Sequence, residues 1–163
     1  INVLLPTVLA KLADRHAFDI RHQCGEKMHA ETEQAYQLAG IGARVKPFIR
    51  DMAEAHALDD VVIGRAGALT VSELCAAGVA SILIPLPTAV DDHQAMNAEF
   101  LKSHGGGWWF RQDERLEKNL EDALLDLASH PDRTLQMAKA ARSAAFPQAA
   151  EQMADIIIQE MAS

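Results

Sequence analysis

Apolar residues recur along the chain with two spacings, one typical of helices and the other of short buried strands. The first apolar positions have helical spacing: Val3, Leu5, Val8, Leu9 and Leu12. They predict a helix over 2–14, in which Pro6 is tolerated only within the first turn. Beyond it, short apolar runs alternate with polar-faced segments, and this alternation predicts an α/β fold with a parallel sheet.

The alternation divides the rest of the chain into predicted strands and helices. Strands are expected at 17–23, 44–49, 60–63, 81–85 and 107–110, and helices at 26–39, 51–57, 71–77, 92–103, 115–128, 132–145 and 148–161. The run 81–85 has the apolar character of a central parallel strand covered on both faces. A doubly wound domain normally opens on a strand and a glycine-rich turn. Because this chain opens on a helix instead, we expect its first strand to be missing.

The composition fits one globular domain over 1–163, with 49% hydrophobic and 23% charged residues. The net charge of −8 argues against a broad nucleic-acid surface or a polybasic membrane patch, since both require clustered Lys and Arg. No apolar run approaches the roughly 20 residues that span a bilayer. The two cysteines, Cys24 and Cys75, form neither a disulfide framework nor a metal-type spacing.

The amino terminus lacks the basic region and the small-residue cleavage site of a signal peptide. We therefore expect a reducing, cytoplasmic location. The chain begins at Ile1 rather than at Met, which suggests a processed or excised piece of a longer protein.

The segment from Asp60 to Glu73 carries the first candidate chemistry. A buried strand is predicted to end in Gly64-Arg65-Ala66-Gly67-Ala68, directly before a helix. Glycines allow a tight turn and the close approach of a ligand. The helix start beyond them offers unpaired N–H groups and a positive dipole end, which suit a diphosphate. Two glycines before a helix are equally typical of an ordinary strand-to-helix turn, so the motif alone leaves both interpretations open.

Thr70 and Glu73 also allow two interpretations. The sequence Thr-Val-Ser-Glu has the spacing of a capping box, in which Thr70 is the N-cap and Glu73 reaches back to the Thr70 N–H. Alternatively, the Glu73 carboxylate accepts hydrogen bonds from the ribose hydroxyls of a nucleotide, as an acidic residue does in other dinucleotide sites. The spacing by itself favours the cap.

A third polar segment follows the predicted central strand. Residues 85–97 form a loop that leads into the first turn of a helix, which Asp91 or Asp92 is expected to cap. Gln94 and Asn97 are three residues apart and therefore share a face. Amide side chains both donate and accept hydrogen bonds, as the recognition of sugar hydroxyls requires. A solvated helix face would show the same pattern.

The other polar residues indicate no reaction centre. The remaining histidines have no metal-type spacing and are expected at the surface or at strand ends: His16, His22, His29, His56, His104 and His130. No Ser-His-Asp, Cys-His or Walker-type arrangement occurs, so we expect no catalytic residue, metal or cofactor in this chain. Because Gly-x-Gly-x-x-Gly is absent, a redox Rossmann domain is not expected.

Together these segments resemble the MurG family, the family 28 GT-B glycosyltransferases that transfer N-acetylglucosamine (GlcNAc) from UDP-GlcNAc to lipid I, forming lipid II in bacterial peptidoglycan synthesis. The similar segments keep their order and spacing over nearly the whole chain: 22–25 (His-Gln-x-Gly), 47–52, 64–73, 76–78, 84–85 and 92–98. The resemblance implies a three-layer Rossmann-like domain with a parallel sheet, the carboxy-terminal half of a two-domain enzyme.

The resemblance also implies roles for individual positions. The backbone around Ile49 would meet the uracil, and Glu73 would bind the ribose in place of the cap that the spacing favours. The family often has Gln where His93 stands and Ser where Ala66 stands. The expected UDP-GlcNAc contacts are Ile49, Ala68, Leu69, Thr70, Val71, Ser72, Glu73, His93 and Gln94, with Phe48, Arg65, Gly67 and Asn97 as further candidates.

By the same resemblance, an amino-terminal domain would bind lipid I, contact the cytoplasmic face of the bacterial inner membrane and supply a general base for attack with inversion. The chain alone is then expected to bind UDP weakly and to catalyse no transfer. Two alternatives stay open at the level of sequence. One is another GT-B or epimerase-type domain, or a sugar-nucleotide-binding subunit that needs a membrane partner. The other is a nucleotide-binding module that is not an enzyme.

Overall fold

The computed structural model describes residues 1–87, 92–148, 154 and 157–159. The helices are α1 (Leu4–Leu12), α2 (His29–Ala39), α3 (Met52–Ala57), α4 (Ala68–Ala77), α5 (His93–Ser103), α6 (Leu116–Ser129) and α7 (Pro131–Ser143). The strands are β1 (Arg21–Gln23), β2 (Arg44–Lys46), β3 (Val61–Gly64), β4 (Ala80–Leu83) and β5 (Gly107–Trp109). No helix in this part of the chain is long and apolar enough to cross a membrane.

The order of elements confirms the predicted α/β fold as far as α7. The end of the predicted loop 86–91 and most of the predicted helix 148–161 lie outside the described residues. Pro6 lies in the first turn of α1, as its chemistry requires. Gly40 and Gly78 close α2 and α4 with φ of 69° and 72°, the left-handed conformation in which a helix commonly ends.

Element boundaries differ from the prediction at several places. β1 covers only the last three residues of the predicted strand 17–23, and β2 ends at Lys46, before Pro47, which has no N–H to donate. The predicted helix 26–39 begins with a separate 3₁₀ turn, Glu26–Met28. α4 begins at Ala68, three residues earlier than predicted.

The strands pair in parallel, as predicted, but they form two sheets rather than one. β1 pairs with β2, and β4 lies between β3 and β5. In the described chain no ladder joins β1 to β3, and a groove of about 1640 Å³ is lined by residues of both strands and of α1. The additional first strand expected from the sequence stays a prediction.

β4 is buried on both faces and separates two layers of helices. Its residues Ala80 and Ile82 pack with apolar side chains of α1 and α6. Leu83 belongs to a second cluster, formed with α4, α5 and α7. Alternate residues of a strand point to opposite faces, so one short strand supports both layers. This three-layer arrangement is the predicted one, and its packed helices support the carboxyl ends of β3 and β4.

His56 corrects the expectation that the remaining histidines lie at the surface or at strand ends. This side chain, on α3, is buried, and its Nδ1 lies 3.4 Å from Asp59 Oδ2. Arg21 donates to the other oxygen of the same carboxylate at 2.6 Å. The three side chains connect α3 to β1, which orients the segment that precedes α3.

Candidate functional site

The candidate residues gather where β3 and β4 end and the neighbouring helices begin. Phe48, Ile49, Arg65, Thr70 and Glu73 line the groove described above. α3, which follows the 48–49 segment, packs against α4, and the segment lines the same groove as Thr70 near the start of α4. The carboxyl ends of parallel strands are the usual ligand-binding edge of such a sheet.

The turn between β3 and α4 leaves three backbone N–H groups available. Gly67 is the N-cap of α4, without a side-chain hydrogen bond, and the first helical bond runs from Val71 N to Gly67 O at 2.9 Å. Among the described residues, the N–H groups of Ala68, Leu69 and Thr70 have no acceptor. They lie at the positive end of the helix dipole, where an anion binds favourably.

The capping-box interpretation of Thr70 and Glu73 is wrong. Because α4 begins at Ala68, Thr70 is its third residue rather than its N-cap, and Glu73 lies in the second turn. Glu73 is exposed, and its carboxylate makes no hydrogen bond or ion pair with the described residues. The i, i+3 spacing places it on the same face as Thr70. The carboxylate is therefore accessible to a ligand bound at the start of α4.

The other predicted contacts on α4 differ in accessibility. Ala68 and Ser72 are exposed, and the Leu69 side chain is 80% exposed. Val71 is buried, and its N–H is bonded to Gly67. The structure therefore brings Ala68, Leu69 and Ser72 to the surface beside Glu73 but does not bring the Val71 side chain there.

The segment that contains Ile49 is fixed to the carboxyl end of β1. Gly25 N donates to Pro47 O at 3.0 Å, and Gly25 has a φ of 78°, which favours glycine. Gln23 Oε1 accepts a hydrogen bond from Ile49 N at 2.7 Å. The motif His-Gln-x-Gly thus positions the Ile49 backbone. Gln23 was not predicted as a site residue; the available signal was a polar side chain at the carboxyl end of a strand.

Behind this segment, His22 forms a buried polar chain. Its Nδ1 lies 2.9 Å from Tyr36 Oη and its Nε2 3.1 Å from Asn2 Oδ1, while Asn2 Nδ2 donates to Cys24 O at 3.3 Å. Burial lowers the pKa of His22. Burial also raises the pKa of Tyr36 to about 12. A neutral His22 can therefore accept from the Tyr36 hydroxyl and donate to Asn2.

Arg65 connects the carboxyl ends of neighbouring strands. Its Nη1 donates to Ile84 O at 3.1 Å and to Pro85 O at 3.2 Å, and its Nη2 donates to Gln112 Oε1 at 2.8 Å. Burial lowers the pKa of Arg65, but an arginine keeps its charge in proteins. Both terminal nitrogens are thus occupied by acceptors of the protein itself.

Asp92 does not cap α5 with its side chain, contrary to one of the two predicted possibilities. Asp92 is the N-cap with a φ of 56° and no capping bond, and its Oδ2 accepts instead from Arg111 at 2.8 Å. Asp91, the other predicted cap, lies outside the described residues. His93, the first residue of α5, is exposed.

Gln94 and Asn97 both bind backbone groups of neighbouring loops. Gln94 Oε1 accepts from Leu86 N at 3.0 Å, so its Nε2 is directed elsewhere. Asn97 Nδ2 donates to Ala66 O at 3.0 Å. Both amides therefore bond to the protein's own backbone.

Basic side chains surround the Ile49 segment although the chain carries a net charge of −8. Arg21, Arg44, Lys46 and Arg50 line a smaller groove of about 600 Å³, together with Phe48 and Ile49. Asp51 and Glu54 line the same groove, and Arg21 and Arg44 are paired with Asp59 and Asp19, so acidic groups offset much of this positive charge. Within the described residues, no three His, Cys, Asp or Glu side chains are grouped so that they could hold a metal ion.

The model of the Glycosyltransferase family 28 C-terminal domain matches residues 1–153. The chain is 54% identical, over 98% of its length, to a UDP-N-acetylglucosamine–N-acetylmuramyl-(pentapeptide) pyrophosphoryl-undecaprenol N-acetylglucosamine transferase of Xylella fastidiosa (strain M12). It is 51% identical, over its whole length, to a transferase of the same description from Xanthomonas euvesicatoria pv. vesicatoria (strain 85-10). The chain spans 44% and 38% of these relatives, less than half of each.

Solved structures show the same similarity. The crystal structure of MurG from Acinetobacter baumannii superposes with a TM-score of 0.89 at 38% identity, covering 97% of this chain and 45% of that one. The kitacinnamycin glycotransferase, with a TM-score of 0.65 and 21% identity over 96% of this chain, shares the fold alone. The similarity in both sequence and fold therefore extends over nearly the whole chain.

Proposed function

The chain belongs to the family of glycosyltransferase family 28 C-terminal domains, and on that premise we propose that it is the UDP-GlcNAc-binding half of an inverting N-acetylglucosaminyltransferase. The whole enzyme transfers GlcNAc to lipid I and forms lipid II in peptidoglycan synthesis. One observation carries the proposal. Three N–H groups at the start of α4 and the Glu73 carboxylate, none of them paired within the described residues, lie one helical turn apart.

The start of α4 binds the diphosphate. The N–H groups of Ala68, Leu69 and Thr70 donate to its oxygens, and Gly67 allows the diphosphate to approach the backbone. Bonds to a charged oxygen are shorter and stronger than neutral ones, and the helix dipole adds about 0.3–1 kcal/mol. When the bond to the sugar breaks, negative charge grows on the leaving UDP. The same groups then stabilise the transition state more than the bound substrate.

The nucleoside lies between α4 and the 48–49 segment. The Glu73 carboxylate accepts hydrogen bonds from both ribose hydroxyls, because its two oxygens offer several acceptor sites. The Ile49 backbone meets the uracil edge, and the exposed Phe48 ring offers apolar surface beside the base. Both elements line the same groove, which supports this arrangement.

The GlcNAc group faces the first turn of α5. Because Leu86 N holds the Oε1 of Gln94, the Nε2 of Gln94 donates to a sugar hydroxyl. His93, on the exposed side of the same turn, supplies the second contact. In this arrangement the contacts of α5 determine the specificity for the sugar, and the contacts of α4 provide the affinity for UDP.

The acceptor side of the reaction lies outside this chain. The relatives are more than twice as long as the chain, and the additional sequence supplies the lipid I site, the general base and the contact with the cytoplasmic face of the membrane. This chain holds the donor and stabilises the leaving group. It therefore binds the donor without transferring the sugar.

Calorimetric titration of the purified chain with UDP and with UDP-GlcNAc tests the proposal. We expect saturable binding of both, tighter for UDP-GlcNAc. Glu73→Ala should weaken the binding of both ligands about tenfold or more, since hydrogen bonds to a charged group are each worth about 1.5–3 kcal/mol. Glu31→Ala is the matched control, because Glu31 is also an exposed glutamate without a partner among the described residues, on α2 rather than α4.

Two results would count against the donor site. One is an equal effect of Glu73→Ala and Glu31→Ala on the affinity for UDP, which would show that Glu73 does not contact the ribose. The other is saturable binding of NADH in place of UDP, which would indicate a different class of nucleotide. Equal affinity for UDP and UDP-GlcNAc would agree with the proposed UDP site but would contradict the sugar contacts assigned to α5.

A further inference from the structure

Two side chains at the carboxyl end of β5 hold α5 at its start and in its second turn. Arg111 donates to Asp92 Oδ2 at 2.8 Å, and Asp92 is the N-cap of α5. Trp109 Nε1 donates to Glu99 Oε2 at 2.7 Å. Asp92 and Glu99 are seven residues apart and therefore lie on one face of the helix. α5 is thus attached to the end of β5 at two points along that face.

The carboxyl end of β5 is itself fixed to other parts of the domain. β5 pairs with β4, and Phe110 N continues this pairing with a bond of 3.0 Å to Leu83 O. On the other side of Arg111, Gln112 Oε1 accepts from Arg65 Nη2 at 2.8 Å. The residues before and after Arg111 are therefore both held by bonds. The ion pair of Arg111 consequently fixes the start of α5 relative to the sheet.

The guanidinium of Arg111 also lies on an aromatic ring. Its central carbon is 5.6 Å from the ring centroid of Trp109, which is within the range of a cation–π contact. An exposed ion pair alone contributes little, because two long side chains lose conformational freedom when they form it. The indole ring already restricts the guanidinium, so the pair with Asp92 costs less freedom and favours one geometry.

The backbone of Asp92 explains why the start of α5 needs this support. Asp92 has a φ of 56° and a ψ of 24°, the left-handed conformation, and within the described residues no other non-glycine residue has a positive φ. This conformation is strained for a residue with a Cβ, although Asp tolerates it better than most. The ion pair at Oδ2 opposes relaxation of the Asp92 backbone, which would change the direction of the first turn of α5.

We propose that Arg111, supported by Trp109, is a positioning residue that acts through Asp92 and orients the first turn of α5 toward the sugar. The purpose rests on the proposed function, whereas the anchoring of α5 rests on the distances given above. The sugar contacts of His93 and Gln94 depend on the direction of this turn, and the UDP contacts of α4 do not. Loss of the ion pair therefore reduces the affinity that GlcNAc adds to UDP.

Amide hydrogen exchange of Arg111→Gln tests the anchoring without any ligand. The Met96 and Asn97 amides make the first hydrogen bonds of α5, so their exchange reports opening of its first turn. Both should exchange about two- to fivefold faster, in line with the loss of one exposed ion pair. The Leu101 amide, in the last turn, should keep its rate. Unchanged exchange at Met96 and Asn97, or equal acceleration at Leu101, would overturn the proposal.

Arg133→Gln is the control for this experiment. Arg133, on α7, is also an exposed arginine that is paired with an aspartate, Asp126 of α6. Its substitution removes the same charge and an ion pair of the same kind, but not the one at the start of α5. Exchange at Met96 and Asn97 should therefore stay at the rate of the unmodified chain. Acceleration as large as that in Arg111→Gln would contradict a specific role of Arg111.

Calorimetric titration of the same variants tests the purpose of the anchor. Arg111→Gln should raise the Kd of UDP-GlcNAc about two- to fivefold and leave the Kd of UDP unchanged. A merely structural role would raise both Kd values by the same factor, and that result would overturn a positioning role. If the unmodified chain binds no UDP, the proposed function fails, and hydrogen exchange still decides whether Arg111 anchors α5.

A double-mutant cycle shows whether the effect passes through Asp92. Asp92→Gly removes the acceptor and adopts a positive φ without strain. In that background Arg111→Gln has no ion pair to remove and should change neither the exchange at Met96 nor the Kd of UDP-GlcNAc any further. Arg111→Lys, which keeps the charge, should retain part of the affinity that Arg111→Gln loses. Additive effects of Asp92→Gly and Arg111→Gln would contradict the proposal.

Discussion

His22 and Gln23 are neighbours on β1 that face opposite directions and serve the site differently. His22 is buried and bonds to Tyr36 and Asn2, whereas Gln23 is exposed and holds the Ile49 N–H. The resemblance located both residues in a motif, but neither role follows from the sequence. Their partners lie between 14 and 26 residues away, so only the folded chain shows which groups meet.

The burial of His22 predicts a loss of stability in acid. Its pKa is lowered in the folded chain, while the unfolded chain has a histidine pKa near 6.5. Above about pH 6.5 the ring is neutral in both states, and its full contribution is present. As the pH falls below that value, the unfolded chain takes up a proton that the folded chain does not, and the free energy of unfolding decreases until the folded pKa is reached.

Thermal unfolding at pH 7.5 and pH 5.5 measures this effect. The unmodified chain should lose more stability between the two values than His22→Gln, which has no ring to protonate. His104→Gln serves as the control, since it replaces an exposed histidine and should leave the pH dependence in place. Identical losses for the unmodified chain and His22→Gln would contradict the assignment of the buried ring.

At the scale of elements, the sequence predicted which segments are helices more reliably than where they begin. α4 begins three residues early because Gly67 takes the N-cap position without a capping side chain. The Thr-Val-Ser-Glu spacing suggested a cap, but tertiary packing of Ala66 and Val71 decides where the chain enters the helix. α3, by contrast, begins at Met52, one residue after its predicted start, and Asp51 is its N-cap, whose carboxylate accepts from Glu54 N at 2.8 Å.

These two helix starts predict opposite results for superficially similar substitutions. Asp51→Ala removes a real N-cap and should destabilise the chain by about 1 kcal/mol. Thr70→Ala lies inside α4, where alanine has the higher helix propensity, and should change the stability by less than about 0.5 kcal/mol. Chemical denaturation distinguishes the two. A loss of stability for Thr70→Ala as large as that for Asp51→Ala would support the capping-box interpretation instead.

At the scale of the whole molecule, alternation of apolar and polar segments was enough to predict a parallel α/β domain with helices on both faces. It was not enough to predict two separate sheets, because hydrophobic patterns identify strands but not their neighbours. β1 and β2 together are only six residues long; β1 is the last part of a longer predicted strand, and β2 is the first part of another. The groove beside β1 and β3 therefore appeared only in the structure.

The candidate site, like the fold, could be predicted only in part from the sequence. Sequence reasoning found the segments that surround it, since glycine turns and polar residues after buried strands mark the carboxyl edge of a sheet. It could not separate side chains that face a ligand from those that hold the loops. Arg65 and Asn97 stay predicted donor contacts, and the sequence did not show that both also donate to backbone carbonyls of the chain itself.

We propose that this edge of the sheet holds a UDP-sugar, with UDP on α4 and the sugar on α5. Mapping of backbone amide shifts during titration with UDP, and then with UDP-GlcNAc, tests it most directly. We expect UDP to shift Ile49, Ala68, Leu69 and Thr70, and GlcNAc to add shifts at His93 and Gln94. Saturable shifts confined to another surface, or an identical pattern with NADH, would contradict the account.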